Sequence, residues 1–194
     1  MEQWLATIAD RAGAAERGES ARLLALVRAD TPAARDELAR TLTEAGRPLW
    51  ARELAACALG AAGDRRAFET LVFLLNYRDP ARGENAAEAL ARLGDPRTAR
   101  AAAALAANEL RTAYALHPVR LLARLAAPES RPVLTATLAR LLAGPEHHWP
   151  VARACVEGLG RLGDPAARAV LVEAGVRPEL RDAVRAALRR LPGS

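Results

Sequence analysis

The sequence predicts an all-α protein: a solenoid of about six stacked helical hairpins. Three observations carry that expectation. Alanine and leucine dominate a chain that is 51% hydrophobic but only 4% aromatic, and β-branched residues are too scarce for several strands. A short corner recurs. Residues 90–97 read Leu90, Ala91, Arg92, Leu93, Gly94, Asp95, Pro96, Arg97, and residues 159–166 read Leu159, Gly160, Arg161, Leu162, Gly163, Asp164, Pro165, Ala166. The corner returns at a spacing typical of helical pairs that cannot bury their apolar faces alone and therefore stack.

The corner is explained by local chemistry. Gly94 and Gly163 can take the left-handed conformation that ends a helix without a Cβ penalty. Asp95 and Asp164 can accept a hydrogen bond from the free N–H groups of the next helix. Pro96 and Pro165 are then expected at the first helical position, where a missing N–H costs nothing. With the residue after the corner glycine, or its equivalent, as position zero, the corners fall at Thr31 (weak), Asp64, Asp95, Ala127 (degenerate), Asp164 and Gly193 (a terminal version), spaced by 33, 31, 32, 37 and 29 residues. Position minus five is Leu every time: Leu26, Leu59, Leu90, Leu122, Leu159 and Leu188. Position minus eight is mostly small or apolar, and the two positions share one helix face.

The elements follow in order. Repeat one is expected as helices 2–12 and 19–29 joined through Gly18, and repeat two as 33–45 and 49–62 with Gly46 and Pro48 between them. Repeat three is expected as 66–76 and 84–93, its turn holding Tyr77, Arg78, Asp79, Pro80 and Gly83. Repeat four begins with 97–107, and its second helix either starts near Pro118 or kinks there, because proline cannot make an interior helical hydrogen bond. Repeat five uses 131–142 and 150–162 around a long turn with Gly144, Pro145, Glu146, His147, His148 and Trp149, and repeat six uses 166–174 and 179–191.

The corner Leu162, Gly163, Asp164, Pro165, preceded by the Ala-rich helix from Val151 to Leu159-Gly160, resembles the HEAT repeat of the bacterial phycobilisome-lyase type. The resemblance covers about residues 31–192. It implies a right-handed α-solenoid of about twelve helices in six HEAT-like repeats, one repeat domain over residues 1–194. It also implies that the second helix of each pair lies on the concave side, where partners commonly bind.

Charge offers one patterned feature. All 28 basic residues are arginine, and the net charge is +5. Arginine forks onto carboxylates and phosphates alike, although GC-rich coding would also favour arginine and alanine together. Position minus three reads Arg28, Ala61, Arg92, Arg124, Arg161 and Arg190, with Arg120 one turn before Arg124. Such a column could hold an acidic partner, or it could complement the last-turn helix dipoles with no ligand at all. Glu88 and Glu157 sit where they could pair with Arg92 and Arg161. Tyr77, His148 and Trp149 are added as turn residues that could contact a partner, tryptophan being a frequent interface anchor. Trp50 and Trp149 open equivalent helices and read first as packing residues.

No catalytic or cofactor motif stands out: there is no Gly-rich phosphate loop, no Gly-x-Ser-x-Gly and no His-Glu-x-x-His. His117, His147 and His148 lack metal-ligand spacing, and Cys57 and Cys155 read as small core residues. No secretion signal or membrane span is visible, so the expected setting is cytoplasmic. The expected function is a non-enzymatic scaffold or adaptor that presents its concave face to an unidentified acidic protein. The alternative is nucleic-acid binding through the arginine column, with a DNA-repair glycosylase-like or lyase-like enzyme ranked below both.

Overall fold

The computed structural model describes residues 2–144 and 148–192. Pro145, Glu146, His147 and the last corner position, Gly193, lie outside them. The described residues form twelve α-helices and no strand. Two compact units divide them. Unit 1, Met1–Pro96, holds α1 (Glu2–Ala9), α2 (Arg17–Ala29), α3 (Pro32–Thr43), α4 (Leu49–Ala61), α5 (Phe68–Leu75) and α6 (Pro80–Leu93). Unit 2, Arg97–Ser194, holds α7 (Thr98–Ala107), α8 (Leu116–Leu125), α9 (Ser130–Ala143), α10 (Trp149–Leu162), α11 (Arg168–Ala174) and α12 (Arg181–Leu188). The all-α reading in successive helical pairs holds.

The corners form as their chemistry dictates, with substitutions where glycine is missing. Gly63, Gly94 and Gly163 are left-handed at φ +76°, +64° and +67°, and Asp30 and Ala126 take the same conformation at +46° and +50° in the two degenerate corners. Asp64 accepts from the Arg66 N–H at 3.1 Å, Asp164 from Ala166 at 2.8 Å, and Thr31 from Ala34 at 3.2 Å. At the fourth corner Ala127 has no side chain to cap with. There the buried Ser130 hydroxyl donates to the Leu122 carbonyl at 2.7 Å instead.

The corrections are local. Gly18 is inside α2, and the first hairpin turns through residues 10–13 and a short 3-10 turn, Ala14–Glu16. Asp79 caps α6 by accepting from the Ala81 N–H at 3.0 Å, so that helix starts at Pro80 and encloses Gly83. Pro96 lies in a turn rather than at the first position of α7, which starts at Thr98, and Asp95 is buried; Pro165 opens a 3-10 turn, Pro165–Ala167, ahead of α11. Pro118 sits in the first turn of α8, where no i−4 partner is needed.

Burial explains the leucine column. Leu59, Leu90, Leu122 and Leu159 are wholly buried, while Leu26 and Leu188, in the first and last repeats, are only half-buried. In unit 1, α4 is the central element: from Glu53 to Gly60 every residue is buried, against α1, α2, α3, α5 and α6. In unit 2, the second helices α8, α10 and α12 pack in sequence, as do the first helices α7, α9 and α11. Small residues let them approach. A Cβ on Gly160 would lie 2.6 Å from the Ala187 Cα and Cβ of α12.

Candidate functional site: an arginine and tryptophan groove in unit 2

The second helices of unit 2 bury their central apolar residues, and apart from Pro150 the positions they leave fully exposed are charged. On α8 the run from Val119 to Arg124 is buried except at Arg120 and Arg124, one turn apart. On α10 the exposed positions beyond its first turn are Arg153, Glu157 and Arg161, each four residues from the last. Four residues of α-helix advance about 6 Å and rotate about 40° beyond a full turn, so these side chains form one oblique line. Trp149, half-buried at the first position of α10, stands at its foot.

A groove of about 490 Å³ opens here, lined by Arg120 of α8, by Trp149, Pro150, Arg153 and Glu157 of α10, and by Glu179. The guanidinium of Arg153 donates to the Glu179 backbone carbonyl at 3.1 Å, which ties α10 to the turn before α12. Arg120, Glu157 and the Glu179 carboxylate make no ion pair with any described residue. The wider field is basic. Unit 2 carries 15 arginines and 8 acidic residues, a net +7, whereas unit 1, with 13 and 15, has −2.

The other candidates have different settings. Arg161 is exposed in the last turn of α10, and Arg190 is exposed in the turn beyond α12. In unit 1, Arg92 donates to Glu88 at 2.6 Å, the i,i+4 pair expected from the sequence, and its guanidinium carbon lies 5.8 Å from the Trp4 ring centre. Arg28 borders a separate hollow of about 220 Å³ between α1 and α2. Tyr77, also in unit 1, packs 5.6 Å from the Phe73 ring, which is 59% exposed. His148 is the half-buried residue before α10. Trp50 has the packing role: it is buried, and its indole N–H donates to Glu16 at 2.9 Å.

One polar cluster escaped the sequence reading. Glu53, with no solvent exposure, accepts from Arg11 at 3.1 Å, from Arg82 at 2.6 Å and from the Asn85 side-chain amide at 3.0 Å. Asp79 backs both arginines, at 3.5 Å from Arg11 and 3.3 Å from Arg82. The carboxylate is saturated, so the cluster ties helices together and has no oxygen left for a ligand. A lone acid inside the apolar run from Trp50 to Leu59 is the signal that would have found it. Burial pushes the Cys155 thiol up to about 12 and the Cys57 thiol well above its ordinary value, so neither offers a thiolate at neutral pH. Among the described residues no group of three His, Cys, Asp or Glu side chains converges on a possible metal position. No helix of these residues is long and apolar enough to cross a membrane.

Comparison with known proteins joins the corners to a family. Residues 51–77 and 151–174 match the PBS lyase HEAT-like repeat. Each match spans a second helix, its left-handed glycine, its aspartate cap and the helix that follows. The chain carries HEAT-like repeats. No curated protein matches it in sequence. Among solved structures the HEAT-like array is similar to human deoxyhypusine hydroxylase in complex with glycerol, at 22% identity over 96% of this chain and 83% of that one, with a TM-score of 0.31. That similarity corrects the expectation of a non-enzymatic protein. The solved structure is that of an enzyme. A likeness this distant assigns it no reaction.

Proposed function

We propose that this helical repeat scaffold binds an acidic protein segment in the groove formed by α8, α10 and the turn at Glu179. The observation that carries this reading is the gathering of Trp149 with Arg120 and Arg153. Tryptophan supplies apolar area that anchors an interface, and the arginines supply forked donors for carboxylates. Glu157 and Glu179 border the same groove and would repel a uniform line of phosphates, which favours a protein over a nucleic acid. The net +7 of unit 2 is the observation on the other side, and it keeps nucleic-acid binding as the second reading.

Fluorescence anisotropy separates the two. Labelled glutamate-rich peptide carrying one leucine, duplex DNA and single-stranded DNA would each be titrated with the full chain at low and near-physiological salt. The double variant Arg120→Glu, Arg153→Glu would be run alongside. Peptide binding that survives salt and is lost in the variant supports the groove. DNA binding that falls steeply with salt, with no peptide bound, establishes the second reading instead, because phosphate contacts release counterions.

A further inference from the structure

The line of side chains on α10 has an order as well as a charge. It runs Trp149, Arg153, Glu157, Arg161: aromatic, positive, negative, positive. Steps along it are about 6 Å, four residues of helix rise. An extended chain places every second side chain on one face, at intervals of about 6.4–6.8 Å. The two rulers drift apart by under about 1 Å per step, so three steps stay within the reach of a flexible arginine or glutamate. The groove, lined also by Arg120 and Glu179, holds the line as far as Glu157. Arg161 stands exposed one turn beyond it, so a chain lying in the groove reaches it on leaving.

We propose that the groove reads an extended protein segment by alternating residues: an apolar residue against Trp149, then acid, base and acid against Arg153, Glu157 and Arg161. This rests on the groove reading given above and adds a register to it. The segment crosses α10 obliquely, following the rotation of the line, and the position of its apolar residue at the Trp149 end fixes the direction in which it runs. Glu157 is the discriminating position. A segment acidic throughout places a carboxylate against it, whereas the ordered segment places a cation there, and like charges face to face at an interface are costly.

Three labelled peptides test the register on the full chain by anisotropy at near-physiological salt. All have serine at the intervening positions. The first carries leucine, glutamate, lysine, glutamate; the second the same residues ordered leucine, lysine, glutamate, glutamate; the third leucine and three glutamates. The wild type is expected to bind the first about tenfold more tightly than the second, one charge reversal against Arg153 being sufficient for that. Glu157→Arg, at an exposed position, is expected to move the preference to the third peptide. Equal affinity for the first and second peptides, or no shift in Glu157→Arg, overturns the register while leaving the groove reading intact. Failure to bind any of the three overturns both.

Discussion

Gly160→Ala tests the packing directly, because two opposed terms of known size meet at one atom. In a helix interior the change from glycine to alanine is worth about 1 kcal/mol in favour of the variant. Here the added methyl would lie 2.6 Å from both Cα and Cβ of Ala187. Carbon atoms in contact prefer about 3.5–4.0 Å, so α12 would have to retreat by about 1 Å. The obstacle is partly backbone and cannot rotate aside. Overpacking of this kind costs about 1–3 kcal/mol, and a backbone obstacle belongs at the upper end. The net expectation is a loss of about 2 kcal/mol, or roughly 4–8 °C in Tm for a chain of this size. Thermal unfolding followed by far-ultraviolet circular dichroism measures it. Gly18→Ala is the matched control: on α2 no atom lies within 4 Å of the place its methyl would take, so it should leave stability unchanged or raise it by up to about 1 kcal/mol. A Tm for Gly160→Ala at or above wild type would refute the close approach of α10 and α12.

Three further outcomes are expected. Leu122→Ala should cost about 2–5 kcal/mol by denaturant unfolding, and the same change at half-buried Leu188 clearly less; equal losses would contradict the burial pattern. Glu53→Ala should lower stability by about 3–5 kcal/mol, since it leaves Arg11 and Arg82 without their shared buried partner, and the denaturant midpoint reports it. Hydrogen bonds from Arg66 and Arg22 hold the Asp64 and Glu19 carboxyls below their ordinary values. A depressed folded-state value means that their stabilisation is fully present above the ordinary carboxylate range and is lost as the pH falls through the folded values. The denaturant midpoint should therefore fall on the acid side of that range, and Asp64→Asn should flatten part of the fall.

What was legible in the sequence was local. Leu, Gly and Asp at fixed offsets describe one helix end and the next helix start, and neighbours along the chain decide both. The misplaced boundaries have the same origin. Asp79 outcompetes Gly83 as the start of α6 because its carboxylate reaches the Ala81 N–H, a choice between two nearby stop signals. The groove was half legible. Arg120 and Trp149 were each singled out, but only the packing of α8 on α10 brings them together; Glu157 entered only as a possible partner of Arg161, and Arg153 and Glu179 carried no pattern of their own. Glu53 was invisible for a related reason: its partners lie 42, 29 and 32 residues away, beyond any local periodicity. The charge difference between the units could have been counted at any time, but without the boundary at Pro96 there was no reason to divide the chain there.

The same glutamate changes how the first repeat should come apart. In a repeat array each unit touches only its neighbours, so a terminal unit frays with little cost to those beyond the next. Arg11 follows α1 in the first repeat, Glu53 belongs to the second, and Arg82 and Asn85 belong to the third. Opening the first repeat withdraws a cation from a carboxylate that the third repeat also holds. Loss of order at the N-terminal end is therefore felt two repeats away, and the array acquires a next-nearest-neighbour coupling through a single buried acid.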